Sequence, residues 1–325
     1  MKKYFQKLLF VGALVSLIPV DQLAVAQSYP AKPIRLVIPF SPGSGTDTVA
    51  RLLSQPLGEA LGQPVIVDNK PGANGLIAAG SVARAEPDGY TLLVTTNTSH
   101  SAAPSLVKSM PYDPINDFAS ISRLVNFPFA LVVDSRLPVN SIEDLIAYGK
   151  SNPGKLSYAS GNSTGIVAGA TFQKMTGIDM IHVPYKSTPQ ALTDVMGGRV
   201  SIMFVDIGTG LPHIFEGKLR PLAVTTPKPT SLLPGVPTLG SHDKFKGFEI
   251  FSWNALSAPA KTPSQIIEMI NRAAVKIVES EEFKNKLAKM GIEPVSSSPE
   301  EQTDFIKRDI KNWSRMSANA GIAPQ

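Results

Sequence analysis

The 325-residue chain contains no cysteine. Disulfides, thiolate metal sites and a lipid-modified N-terminal cysteine are thereby excluded. The core must hold by packing alone, which a chain of this length can do. Histidine is scarce, with only four residues, and no two of His100, His182, His213 and His242 stand at a metal-ligand spacing such as i, i+4. No metal site and no cofactor are expected. Lysine and arginine are scattered without a basic run, so nucleic acid and membrane surfaces have no footprint. No G-x-x-x-x-G-K-[ST] occurs, and Gly43-x-Gly45 lacks the third glycine of the dinucleotide fingerprint, where Thr48 stands.

Long apolar runs are also missing, with one exception at the start. Three lysines among residues 1–7, the uncharged run Leu8–Val20 and the site Ala24-Val25-Ala26 have the order of a secretory signal peptide. The run is shorter than the about 20 residues that span a bilayer. Cleavage is expected after Ala26, giving an exported, soluble, periplasmic protein of residues 27–325. Removing three lysines and one aspartate with that segment takes the net charge from +5 to +3. A modest positive balance suits anionic solutes.

The remainder alternates strand-like and helix-like stretches, the pattern of an α/β fold. Strands are expected at Ile34–Pro39, Val65–Val67, Leu92–Thr95 and Ala130–Val133, and again at Leu156–Ala159, Met180–Val183, Ile202–Val205 and Leu222–Thr225. Helices are expected at Thr46–Leu61, disturbed at Pro56, at Ser141–Ser151 behind a capping-box pattern of Ser141 and Asp144, and at Ile166–Thr176, Thr188–Met196 and Leu211–Glu216. Residues 228–242 read as a surface loop. Thr262-Pro263-Ser264-Gln265 and Ser298-Pro299-Glu300-Glu301 each read as an N-cap followed by proline and a Gln or Glu. The helices behind them need a surface to pack on, so the chain is expected to return to its first lobe, crossing near 126–130 and 251–257.

Two loops share one design. Phe40-Ser41-Pro42-Gly43-Ser44-Gly45-Thr46-Asp47 and Ser160-Gly161-Asn162-Ser163-Thr164 each join a strand to a helix N-terminus. Helix N-termini carry unpaired N–H groups and about half a positive charge, and glycine admits close approach of a ligand to the backbone. Each loop is a ready anion cradle, although the same residues also cap helices. Facing each other, the two would hold one carboxylate. By position at strand ends, Thr95–Ser99, with Thr96, Asn97 and Thr98 foremost, then Tyr185–Thr188, with Tyr185, Lys186 and Ser187 foremost, and then Asp206–Thr209, led by Asp206, are further candidate liners. Phe40 or Tyr185 would stack on a ligand or pack in the core. Lys186 would pair with a second acidic group or lie solvated, and Asp206 would cap a helix or accept from a water or a ligand amine.

Gly161-Asn162-Ser163-Thr164-Gly165 also spells G-x-S-x-G, the nucleophile elbow of serine hydrolases. A secreted hydrolase using Ser163, with Asp206 and His242 or His213, is the alternative. His182, in an apolar strand, reads as structural. Under the cradle reading, alanine at Ser163 weakens binding.

Ordered blocks along the chain then carry a resemblance: "YPAKPIRLVIPFSPGSGTD", "LGQPVIVDNKPGANG", "PDGYTLL", "YDPINDF", "PGKLSYASGNST", "HVPYKSTPQALTDVMGGRV", "KLRPLAVTT", "FSWNALSAPAKTP" and "KNWSRMSANAGI". Over nearly the whole mature length the chain resembles the Bug-type receptors, the periplasmic solute-binding proteins of tripartite tricarboxylate transporters. It departs from their usual pattern at Ser44, Ile166, Ala170 and Ser187. The resemblance implies a two-lobed Venus-flytrap of the type II periplasmic binding protein fold, with lobe I at 27–127 plus 253–325 and lobe II at 128–252. It implies a monomer that holds a small carboxylate at the two loops, performs no catalysis and serves a membrane permease. A receptor feeding a signalling partner is the remaining alternative.

Overall fold

A computed structural model describes residues 29–324. The expected signal peptide, with its cleavage site, lies outside the described residues. Among the described residues no helix is long and apolar enough to cross a membrane.

The chain opens with β1 (Ile34–Ile38), α1 (Gly45–Leu61), β2 (Val65–Asn69), α2 (Leu76–Ala83) and β3 (Thr91–Thr96). Strand β1 runs parallel between β2 and β3. A strand covered on both faces is built from a near-continuous apolar run, and of IRLVI only Arg35 is exposed. Helix α1 buries the stripe Val49, Ala50, Leu53, Leu57 and Leu61. The helix continues through Pro56 rather than breaking there. A π-turn over Thr98–Ala102 and the short α3 (Ala103–Leu106) follow β3.

Strand β4 (Phe118–Asp134) is far longer than the four residues expected from the sequence. It pairs antiparallel with β9 (Phe251–Pro259) up to Pro128↔Phe251. From Phe129 onward it pairs with β7 (Ile202–Asp206), and from Ala130 with β8 (Leu219–Val224). One strand thus belongs to both halves of the sheet, whose order is β2-β1-β3-β9-β4-β7-β5-β6, with β5 at Leu156–Ser160 and β6 at Met180–Pro184. Around the second half lie α4 (Ile142–Ser151), α5 (Ser163–Thr176), α6 (Thr188–Met196) and α7 (Ile207–Phe215).

After β9 come α8 (Ser264–Val278), α9 (Glu281–Ala288), the two-residue β10 (Glu293–Pro294) and α10 (Pro299–Ala320). Helix α8 packs on α1 and β4, and α10 reaches across to α5. The capping box at Ser298 forms in full: the Glu301 N–H donates to the Ser298 hydroxyl at 3.1 Å and the Ser298 N–H to the Glu301 carboxylate at 2.8 Å. The other two caps differ from expectation. Thr262 turns its hydroxyl back to the Pro259 carbonyl, and α8 starts without a side-chain cap. Ser141 caps α4 at the Asp144 N–H, but the Asp144 carboxylate accepts from Asn140 N–H rather than from Ser141.

Candidate functional site

The first loop is shaped from within. Ser44 caps α1 by accepting from the Asp47 N–H at 3.2 Å. Asp47 is itself buried, and it reaches back to accept from the Gly43 N–H at 3.0 Å. Arg51 and the Asn69 amide donate to the same carboxylate. Burial pushes this carboxyl upward, but those bonds outweigh burial and hold it below its ordinary value. Asp47 is therefore a strut of the loop. Gly43 sits at φ +81°, in the left-handed region that favours glycine. The caps leave the N–H groups of Gly45 and Thr46 unclaimed at the start of α1.

The second loop is built alike. Asn162 caps α5 by accepting from the Gly165 N–H at 2.9 Å. A Cβ at Gly161 would collide with the backbone of Ser187 and Thr188, so glycine here lets the loop lie against the N-terminus of α6. The Ser163 N–H donates to Thr98 Oγ1 at 3.2 Å, while its hydroxyl is buried without a partner. The Thr164 N–H remains unclaimed.

Loops following β1 and β3 meet those following β5 and β6. Asn97, fully buried, donates from Nδ2 to Thr164 Oγ1 at 2.9 Å and accepts from the Ser252 hydroxyl at 2.8 Å. The Ser41 N–H donates to the Ser187 hydroxyl at 3.3 Å, and Gln190 donates to the Ser41 hydroxyl at 3.2 Å. Between these contacts lies a cavity of about 20 Å³, lined by Phe40, Ser44, Gly45, Thr46, Phe127, Phe129, Asn162, Thr188, Asp206 and Ser252. That is room for about one water-sized group. Its only ionisable liner is Asp206, which caps α7 by accepting from the Thr209 N–H at 3.0 Å. Burial pushes the Asp206 carboxyl above its ordinary value despite the bonds from Thr209.

The expected residues divide accordingly. Phe40, Ser44, Gly45, Thr46, Asn162 and Asp206 line the cavity. Ser41, Asn97, Thr98, Ser163, Thr164 and Ser187 join the facing loops. Gly43, Asp47 and Gly161 shape the loops. Thr96 bonds to Ser99, and Ser160 bonds to His182 Nε2 at 2.7 Å. His182 stacks on Tyr158, a structural arrangement, and burial lowers its pKa. Tyr185 turns its hydroxyl to Asp194 at 2.6 Å, and burial first and that carboxylate second push it up to about 12. Lys186 is exposed. Neither Tyr185 nor Lys186 lines the cavity.

Sequence reasoning left three liners out of the site: Phe127, Phe129 and Ser252. They stand where β4 passes from pairing with β9 to pairing with β7, and their role depends on strand register. Thr188, a candidate by its place after a strand, lines the cavity. For the hydrolase alternative, the arrangement supplies no base: Ser163 Oγ makes no hydrogen bond, and His242 instead accepts from the Lys244 N–H.

A larger cavity of about 370 Å³ opens beside the first, with Gly45 in the wall of both. Leu192, Met196, Met290 and Ile292 give it apolar sides, and Thr193, Thr209 and His213 polar ones.

The sequence matches the profile of the tripartite tricarboxylate transporter family receptors over residues 49–322. The protein BugT of Bordetella pertussis is 33% identical over 315 residues, 96% of each chain. Among solved structures, an R. palustris protein with adipate is 34% identical and superposes with a TM-score of 0.88 over 91% of this chain and 100% of that one. MatC from Rhodopseudomonas palustris with bound malate is 28% identical, with a TM-score of 0.84 over 89% of this chain and 99% of that one.

Proposed function

The chain belongs to the tripartite tricarboxylate transporter family of receptors, two-lobed periplasmic solute-binding proteins rather than enzymes, and from that premise we propose that it captures a small carboxylate between its lobes. One observation carries this reading. Two helix N-termini, α1 and α5, converge with Thr188 on one cavity whose donors are neutral backbone and hydroxyl groups. The N–H groups of Gly45 and Thr46, the Asn162 amide and the hydroxyls of Ser44, Thr46, Thr188 and Ser252 would hold the anion. Adipate and malate in two related structures are ligands of this class. Phe40, Phe127 and Phe129 would cover the carbon chain, which would continue toward Leu192 and Met290 in the larger cavity.

Residues 27–127 with 253–325 form lobe I in this reading and 128–252 lobe II, with β4 and β9 as the hinge. A carboxylate contacting both lobes favours the closed state, and it shifts the population by its differential affinity for that state. Ser41, Asn97 and Thr98 facing Ser187, Thr164 and Ser163 are the latches. Met1–Ala26 directs export and is removed after Ala26. The closed monomer presents its surface to the membrane permease of a tripartite transporter.

A thermal-shift series with adipate, malate, succinate, benzoate and aspartate tests the reading. At least one is expected to raise the unfolding temperature with increasing concentration. No shift from any of them, in protein purified without bound solute, would overturn it.

A further inference from the structure

We propose that Asp206 is a specificity-determining group that makes closure over a carboxylate take up one proton from solvent. The inference rests on the carboxylate reading and deepens it.

Asp206 is 5% exposed and lines the small cavity. Both of its hydrogen bonds arrive at Oδ1, from the Thr209 N–H at 3.0 Å and the Thr209 hydroxyl at 2.5 Å. No hydrogen bond from another residue reaches Oδ2. The opposite loop presses on the carboxyl: a Cβ placed on Gly45 would stand 2.9 Å from Asp206 Oδ1 and 3.0 Å from Phe127. Gly45 lies in the first loop and Asp206 at the junction of β7 and α7, on opposite lobes in this reading, so their approach desolvates the carboxyl when the lobes close.

No compensating charge is nearby. Among the described residues no cation forms an ion pair with Asp206. The ionisable groups on the elements packed around it are otherwise engaged. On α1, Asp47 is bound to Arg51. On α6, Asp194 is held by Arg199 and Tyr185. On α7, His213 lines the larger cavity and not this one, and it stands 3.8 Å from Glu216, which also pairs with Lys218. On β4, Arg123 donates to Asn126 and Asp134 pairs with Arg136, and on β6, His182 bonds to Ser160. An ionised solute entering this cavity would face an ionised carboxylate among Phe40, Phe127 and Phe129, where like charges interact strongly. Protonation resolves the conflict and makes Oδ2 a donor toward the solute carboxylate. Burial already drives the group in this direction.

The sign follows from linkage. Asp206 is ionised in the open, solvated state and protonated in the closed complex, so the complex binds more protons than its separated parts. Between the ordinary carboxyl value and the raised value in the complex, Kd rises up to about tenfold per pH unit, and above the raised value it levels off because Asp206 is then ionised in both states. Below the ordinary carboxyl value of 3.8 the dependence vanishes.

The test is calorimetric titration of the full mature chain with whichever of adipate, malate, succinate, benzoate or aspartate stabilises it. It is run at several pH values, and in two buffers of different ionisation enthalpy. The expected result is uptake of up to one proton on binding, together with tighter binding as pH falls. Asp206→Asn should abolish both the uptake and the slope. Thr209→Val, which removes one bond to Oδ1, should move the slope to higher pH. Binding without proton uptake overturns the inference and leaves the receptor reading intact. So does uptake unchanged in Asp206→Asn, or binding restricted to the ammonium-bearing aspartate with Asp206 remaining ionised. Absence of binding by every probe overturns both.

Discussion

Asn97 and Thr164 meet at 2.9 Å between loops that follow β3 and β5. Asn97 is fully buried, and its carbonyl oxygen is held by Ser252 on β9. A single amide thus ties β9 to the start of α5. If this contact is a latch, Asn97→Ala should leave the open state nearly unaffected and weaken the closed one. Losing two buried bonds and leaving Thr164 and Ser252 without partners costs about 1–3 kcal/mol. Ligand affinity should fall about tenfold or more, and small-angle scattering should show a larger radius at a ligand concentration that closes the wild type. Equal affinity in the two proteins would remove the latch role.

Gly161 is a second point where backbone meets backbone. Its pro-side-chain position is filled by Ser187 and Thr188, so Gly161→Ala must push the second cradle away from α6. Overpacking of this kind costs about 1–3 kcal/mol. The unfolding temperature should drop, and the ligand-induced rise should shrink further, because Asn162 and Thr188 would no longer share one cavity. Gly62→Ala is the control: a Cβ there meets nothing within 4 Å, and its cost is only the strain of φ +73°. A normal ligand response in Gly161→Ala would show that the close approach is dispensable.

The strand–loop–helix units were legible because each is local. The apolar runs, the glycines and the capping residues stand within a few positions of one another, as at Ser44 with Asp47 and at Ser298 with Glu301. What the sequence could not show is which loop faces which. Tyr185 looked like a liner, yet its hydroxyl finds Asp194 nine residues on. Asn97 and Thr98 looked like ligand contacts, yet they bind the other cradle. Phe127, Phe129 and Ser252 enter the cavity through the register of β4 with β9 and β7, and register between distant segments leaves no mark in either one.

Asp47 makes a pH prediction. Burial raises its pKa and the bonds from Arg51, Gly43 and Asn69 lower it further than burial raises it, leaving the folded value below 3.8. A depressed carboxyl stabilises the fold above its unfolded value, and that contribution is lost as pH falls through the folded value. Asp47→Asn should therefore destabilise the protein at neutral pH by about 1–3 kcal/mol. The gap from wild type should close as the solution is acidified below 3.8. Denaturant titrations of both proteins across that range measure it. A gap that does not change with pH would assign the role of Asp47 to shape alone.

Asn162 and Ser163 separate the cradle from the nucleophile. Asn162 caps α5 and lines the cavity, so Asn162→Ala loses both the bond to the Gly165 N–H and the amide facing the solute. An N-cap alone is worth about 1 kcal/mol, and the lost amide adds to that in the bound state. Ser163 Oγ is buried without a partner and does not line the cavity. Deleting a hydroxyl that has no hydrogen bond removes a desolvation penalty, so Ser163→Ala should leave stability unchanged or raise it by up to about 1 kcal/mol. The sequence alone led us to expect weaker binding from this substitution. The structure moves that expectation to Asn162, whose alanine variant should lose more affinity than Ser163→Ala when both are titrated with the same carboxylate. A larger loss at Ser163 would place its hydroxyl against the solute after all.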